Sequence, residues 1–344
     1  MQRRKALLLA GDLGATKTTL ALYDAAAWPG APLRQQTFQN KEFADFDSLL
    51  AAFLGSAQSA PIAACLGVAG PVLANAVTMT NLNWAIAAAA LQTRFGIHRV
   101  DLINDLVATA LGALHLEPQD LHCLNPGEKR DGATLAVLAP GSGLGEAFLL
   151  PHSGNYFPCP SEGGHASFAP RNKEQIDLLT FMRQQHDHVS VEQVCSGLAV
   201  PDLLAFLATS EPVPDWLQVE LHQAADRTPV IVQAAIRAVR GERPCDIAVH
   251  TLNLFLDILA DEAANLALKT LALGGIFLGG GLAPRLLPFL DPHRFMAVFA
   301  RGTYRDLLAR IPVQVIVNPQ AALLGAAAYG FQALRQGLAD TTAP

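Results

Sequence analysis

The chain has 344 residues, 51% of them apolar, and a net charge of -6 at neutral pH. That length predicts two domains with sizeable cores, and the acidic balance, with Lys and Arg scattered rather than gathered in a stripe, excludes a nucleic-acid binder. No apolar run reaches about 18 residues without a charge or turn residue, which argues against a membrane span. The basic start Met1–Lys5 precedes an apolar run too short for a secretory leader and broken by Asp12. Five cysteines, at 65, 123, 159, 195 and 245, form no Cys-x-x-Cys pair and read as reduced thiols of a cytoplasmic protein.

Leu7 to Ala10 is an apolar run of strand length, and Thr18 to Tyr23 reads as a second strand beyond the tight segment Gly11-Asp12-Leu13-Gly14-Ala15-Thr16-Lys17. A loop between two strands is a hairpin. A Walker loop or a dinucleotide fingerprint needs strand, loop, then helix, and Thr16 stands where the second glycine of Gly-x-x-x-x-Gly-Lys-Thr belongs. Ile62 to Val68 predicts a strand and Asn83 to Phe95 a helix. Val100 to Ile103 predicts a short buried strand ending at Asn104-Asp105, with a helix over Leu106 to Leu114. Thr134 to Leu150 repeats the opening hairpin around Gly141-Ser142-Gly143-Leu144-Gly145. Ser161-Glu162-Gly163-Gly164-His165 reads as a flexible polar loop, Glu174 to Arg183 as a helix, and Ser190-x-x-Gln193 as a capping box ahead of another helix. Pro201 to Pro244 is helical with interruptions, and Thr251 to Leu273 is one long apolar helix. Ile276 to Leu278 is a strand, followed by Gly279-Gly280-Gly281 and a helix from Pro284, a residue that suits a first helical turn. Pro312 to Val317 is the last strand and Ala321 to Gln332 the last helix. Strands and helices mix throughout and a hairpin opens each half, which predicts an α/β protein of two lobes.

Several of these segments have both a structural and a chemical reading. Gly/Ser/Thr loops can turn N–H groups toward an anion, and two of them, a domain apart, suit the phosphates of one nucleotide; each alone is an ordinary tight turn. Asn104-Asp105 is either a helix N-cap or a polar pair at a strand end. Glu162 and His165, three apart across two glycines, can both face one small polyol, or form an exposed turn; two such residues are too few for a closed zinc site. Glu192, in a predicted first helical turn, complements the helix dipole or serves as a ligand. Gly279-Gly280-Gly281 is a strand-to-helix turn or a close approach for a nucleoside.

In order along the chain, the blocks Gly11-Asp12-Leu13-Gly14-Ala15-Thr16, Gly67-Val68-Ala69-Gly70-Pro71-Val72, Met79-Thr80-Asn81-Leu82-Asn83-Trp84, Ile103-Asn104-Asp105, Gly141-Ser142-Gly143-Leu144-Gly145, Glu162-Gly163-Gly164-His165, Glu192-Gln193-Val194-Cys195-Ser196-Gly197 and Gly279-Gly280-Gly281-Leu282-Ala283-Pro284 resemble the bacterial ATP-dependent glucokinases. These belong to the actin-like sugar kinase and heat-shock ATPase group. The resemblance implies a two-lobed actin-like ATPase (ribonuclease H-like) α/β fold, with a small lobe over about 1–110 and 312–335, a large lobe over about 111–311, and a sugar cleft between them. It implies ATP-dependent phosphorylation of D-glucose to glucose 6-phosphate. Asp105 would be the general base, Asn104, Glu162, His165 and Glu192 the sugar ligands, and Gly11, Asp12, Gly14, Thr16, Lys17, Gly141, Ser142, Gly143, Gly279, Gly280 and Gly281 the nucleotide site. Asp12 would hold Mg²⁺ directly or through water, and the assembly would be a homodimer. The family loop usually has a glycine where Ala15 stands and often asparagine where Lys17 stands, so a reshaped first loop, or phosphates held differently, is expected. The related repressor and sugar-kinase group carries a Cys-rich zinc loop after its Gly-His motif; none follows His165, and no structural zinc is expected. Alternatives are a kinase for another hexose or an amino sugar, or a non-catalytic sugar-binding regulator. A DNA-binding repressor is not expected, since only ten residues precede Gly11.

Overall fold

A computed structural model describes residues 6–55, 60–79 and 82–340, with side chains described as far as 335. The Met1–Lys5 start and Thr80-Asn81 of the Met79–Trp84 block lie outside the described residues. The chain divides into two units, one of Met1–Glu117, Pro158–Pro160 and Asn318–Pro344, the other of Pro118–Phe157 and Ser161–Val317.

The first unit runs β1 (Leu7–Leu13), β2 (Lys17–Asp24), β3 (Arg34–Gln39), α1 (Phe46–Leu54), β4 (Ala63–Val68), β5 (Ala76–Met79), β6 (Trp84–Ala87), α2 (Ala88–Phe95), β7 (Arg99–Asn104) and α3 (Asp105–Ala113). Its main sheet has the order β3-β2-β1-β4-β7. β1 and β4 are buried along nearly their whole length, the pattern of strands covered on both faces. β1 pairs antiparallel with β2 and parallel with β4, and β4 parallel with β7. The register sets Leu13 opposite Val68 and Val68 opposite Asn104. Asp12 and Asn104 therefore finish their strands at the same carboxyl edge, where open α/β sheets bind ligands. The C-terminal helix Ala321–Asp340 lies against α3. The approach is close enough that a Cβ at Gly325 would overlap the carbonyl oxygen of Ala108, and one at Gly112 that of Ala321; only glycine permits it.

The second unit contains β8 (Leu121–Asn125), β9 (Leu135–Pro140), β10 (Leu144–His152), β11 (Asn155–Ser161, apart from its Pro158–Pro160 stretch), α4 (Lys173–Met182), α5 (Val200–Leu207), α6 (Asp215–Gln223), α7 (Arg227–Val239), α8 (Asp246–Thr270), β12 (Gly275–Leu278), α9 (Pro292–Phe299), α10 (Arg305–Ala309) and β13 (Val313–Ile316). The sheet order is β11-β10-β9-β12-β13-β8. As in the first unit, an antiparallel hairpin (β9/β10) is followed by a parallel neighbour, β12. The turns after β9 and β12, Gly141–Gly143 and Gly279–Gly281, thus leave the sheet from adjacent strand ends. Helix α8 is the core of the unit, buried on most of its length with Leu252, Phe255, Leu259 and Ala263 fully enclosed. No helix among the described residues is long and apolar enough to cross a membrane.

Three expected elements differ. The helix predicted from Asn83 starts at Ala88, because Trp84 and Ile86 are buried while Ala85 and Ala87 face out. That is strand alternation, and it closes a hairpin with β5. The Ser190/Gln193 box forms both of its hydrogen bonds, Ser190 N–H to Gln193 Oε1 at 2.9 Å and Gln193 N–H to Ser190 Oγ at 3.4 Å. The chain nevertheless continues in turns, and no helix follows until α5. The helix predicted from Pro284 is a 3-10 helix, Ala283–Phe289. Pro288 inside it supplies no N–H and would clash with the carbonyl four residues back in an α-helix.

Candidate active site

In the first unit, the β1–β2 turn closes with Gly14 N–H donating to Lys17 C=O at 3.0 Å. Neither Gly14 nor Ala15 has positive φ, so Ala15 introduces no strain and the reshaping expected at that position is not needed. Lys17 is the first residue of β2 and exposed, and Gly11 lies inside β1. A Cβ at Gly11 would sit 2.6 Å from Leu66 Cδ2 and 2.9 Å from Leu20 Cδ2, so its smallness serves sheet packing. Burial and the charge of Asp105 push the Asp12 carboxyl up to about 6, which places the two carboxylates in one electrostatic neighbourhood.

Asn104 and Asp105 sit where β7 becomes α3. Asn104 Oδ1 accepts from Leu106 N–H at 2.8 Å and from Val107 N–H at 3.3 Å, so the N-cap reading holds. Asn104 Nδ2 donates to Gly70 C=O at 3.3 Å. Asp105 is the first residue of α3; its Oδ1 accepts from Leu106 N–H at 2.9 Å.

In the second unit, Glu162, His165 and Glu192 converge. His165 Nε2 lies 4.0 Å from Glu162 Oε2, and His165 Nδ1 lies 3.9 Å from Glu192 Oε1. Those separations exceed hydrogen-bonding distance. The segment is fixed rather than flexible: Gly163–His165 is a 3-10 turn, and Glu192 N–H donates to Gly164 C=O at 2.8 Å. Glu192 lies in a turn, not on a helix, and its Oε2 accepts from Leu144 N–H at 2.8 Å. A side chain at Gly143 would collide with that carboxylate.

The turn Gly141–Gly143 is held by Gly141 N–H to Gly143 C=O at 2.8 Å and by Gly197 N–H to Gly141 C=O at 2.7 Å. Gly280 takes φ 76°, and Leu282 N–H donates to Pro140 C=O at 3.2 Å. Gly141, Ser142, Gly281 and Leu282 line a pocket of about 450 Å³ together with Thr228, Gln233 and Arg285. That volume is in the usual range for small-molecule sites. Thr228, Gln233 and Arg285 escaped the sequence reading, because residues scattered over α7 and the Ala283–Phe289 turn make no local motif.

The sequence reading also passed over Glu146 on β10. It is 4% exposed, and a Cβ at Gly163 would overlap its Oε2. Burial, then the charge of Glu262, push its carboxyl up to about 7, against the opposing pull of Lys269. The folded state therefore holds this proton more tightly than the unfolded chain, whose ordinary value is 4.5. Stability contributed by the protonated form is lost as pH rises from the unfolded value through about 7. Glu146→Gln is expected to be neutral at acidic pH and more stable than the parent above neutrality, by up to about 3 kcal/mol. Urea unfolding of both proteins across that range checks this; a difference independent of pH would contradict it.

The sequence profile of the family described as Glucokinase matches residues 9–333. The chain belongs to the glucokinase family. It is 38% identical over 333 residues to a glucokinase of Nostoc punctiforme, a match spanning 93% of this chain and 98% of that one. A crystal structure of a glucokinase from an Antarctic psychrotroph superposes with a TM-score of 0.81 at 30% identity, covering 95% of this chain and 99% of the other. A ROK family glucokinase from Streptomyces griseus, crystallised with glucose and AMPPNP, shares the fold at 20% identity with a TM-score of 0.64, covering 95% and 99%. The protein is a phosphotransferase with the actin-like ATPase fold of sugar kinases.

Proposed function

We propose that the named residues divide the work of ATP-dependent phosphorylation of D-glucose to glucose 6-phosphate as follows. The observation that carries the reading is the pairing of Asp12 and Asp105 at the carboxyl edge of the first sheet, where burial, and after it the charge of Asp105, raise the Asp12 carboxyl to about 6. Asp105 is the general base: its carboxylate takes the proton of the sugar hydroxyl as that oxygen forms its bond to the γ-phosphorus and the bond to the leaving ADP breaks. Asn104, Glu162, His165 and Glu192 orient the sugar through its hydroxyls. A carboxylate accepts and an imidazole donates or accepts, which suits a polyol.

The two turns, Gly14–Lys17 and Gly141–Gly143, receive the phosphates. Gly279–Gly281 and the pocket beyond it receive the nucleoside. Two repelling carboxylates, one of them partly buried and raised in pKa, are a donor set that suits a divalent cation. Asp12 would hold Mg²⁺, directly or through water. The ion, when bound, supplies positive charge against the β- and γ-phosphates.

One coupled assay with a panel of hexoses, amino sugars and phosphoryl donors tests the reading. Glucose with ATP is expected to give the highest kcat/KM. Faster turnover of another hexose or an amino sugar would reassign the acceptor, and glucose binding without turnover would make the protein a regulator.

A further inference from the structure

A loop that binds phosphate has to present N–H groups and keep its carbonyl oxygens away, because a carbonyl dipole aimed at an anion is repulsive. The second-unit turn meets this requirement with main-chain donors. Gly141 C=O accepts from Gly197 N–H, Ser142 C=O from Leu198 N–H at 3.3 Å, and Gly143 C=O from Gly141 N–H. At the first-unit turn, among the described residues, the corresponding hydrogen bonds to the Gly14 and Thr16 carbonyls come from one residue, Asn40.

Asn40 follows β3 and is 1% exposed. Its main-chain N–H donates to Thr16 C=O at 3.0 Å, and its side-chain Nδ2 donates to Gly14 C=O at 2.8 Å. Thr18 Oγ1 donates to Asn40 Oδ1 at 2.8 Å, and Asn40 C=O accepts from Phe43 N–H at 3.0 Å. Gly14 C=O can only accept, so the amide is fixed with its nitrogen toward the turn, and the Thr18 hydroxyl holds it there. With Lys17 C=O taken by Gly14 N–H, the carbonyls of Gly14, Thr16 and Lys17 are all turned inward, two of them by Asn40. This also accounts for the tolerance of Ala15. A turn clamped from outside keeps its shape in ordinary backbone conformations.

We propose that Asn40 is a positioning residue for phosphoryl transfer, holding the Gly14–Lys17 turn with the Gly14 and Thr16 carbonyls withdrawn so that the nucleotide's phosphates meet N–H groups. The inference rests on the assignment of that turn to the nucleotide. Asn40 is buried, with its side chain engaged by Gly14 and Thr18, so its signature is a split between the two ligands.

The test compares the parent with Asn40→Ala, Asn40→Asp and Thr18→Val. Asn40→Asp keeps the acceptor for Thr18 and the main-chain bond to Thr16 but sets an oxygen against Gly14 C=O. The expected result is a rise in KM for MgATP of about tenfold for Asn40→Ala, at least as much for Asn40→Asp, and about threefold for Thr18→Val. KM for glucose should stay within about twofold of the parent in all three. Calorimetric titration with ATP in the absence of sugar should show the same ranking, and it reads the clamp even for a different phosphoryl acceptor. Equal weakening of both ligands, or unchanged ATP affinity in folded variants, overturns the proposal. A variant that fails to fold leaves the milder Thr18→Val to decide it by the same split. Loss of glucose turnover in the parent itself would instead count against the assigned reaction.

Discussion

Asp105→Asn is expected to lower kcat by about 10²- to 10⁴-fold, the usual contribution of a positioned general base, while glucose still binds. The substitution is chosen for its small structural effect. Asparagine keeps an oxygen where Asp105 Oδ1 accepts from Leu106 N–H at 2.9 Å, and the Thr109 hydroxyl donates to the main-chain carbonyl of residue 105, at 2.9 Å, not to the side chain. The N-cap of α3 is Asn104, which is untouched. What is removed is the basic lone pair and one negative charge. That loss has a second consequence. The charge of Asp105 contributes to the raised pKa of Asp12, after burial, so the Asp12 carboxyl should fall back toward its ordinary range in the variant. Turnover in a coupled assay and glucose binding by calorimetry together check the base assignment. A kcat within about tenfold of the parent would remove Asp105 from that role.

What could be read in the sequence was whatever has a local cause. The two hairpins were visible because each is an apolar run, a small-residue turn and a second apolar run, and β1/β2 and β9/β10 form in that order. The Asn104-Asp105 pair was visible because a strand end followed by an Asn and a helix is a local signal, and the cap forms as that signal implies. Strand β3 was not visible. Its residues Arg34-Gln35-Gln36-Thr37 are polar and mostly exposed, the composition of an edge strand, and Asn40, which depends on β3 for its position, was missed with it. Glu146 was hidden for the opposite reason. A single acid in the apolar run of β10 looks like an exposed strand residue, and only the three-dimensional approach of Gly163 and Glu262 reveals it as buried. The pocket wall from α7 was illegible because it joins residues that are neighbours only after folding.

Among the proposed sugar ligands, two classes of behaviour are expected. Glu162→Gln and His165→Ala should each raise the dissociation constant for glucose by about 10- to 100-fold, the usual worth of a hydrogen bond involving a charged or ionisable partner, and leave that for ATP nearly unchanged. Both side chains are largely exposed, and among the described residues their ionic neighbours stand 3.9 to 4.0 Å away, so neither holds the surrounding chain together. Glu192 is different. Its Oε1 faces His165 while its Oε2 accepts from Leu144 N–H at 2.8 Å, immediately after the Gly141–Gly143 turn. Under the proposed assignment, one carboxylate would serve the sugar with one oxygen while its other oxygen holds the Leu144 N–H beside the Gly141–Gly143 turn. Glu192→Ala should weaken both glucose and ATP, because Leu144 N–H loses its acceptor and the turn loses the wall that Gly143 packs against. Calorimetry with glucose and with a non-hydrolysable ATP analogue separates the cases. If Glu192→Ala affected glucose alone, or if Glu162→Gln weakened both ligands equally, the division of labour between the two oxygens of Glu192 and the purely sugar-facing role of Glu162 would be wrong.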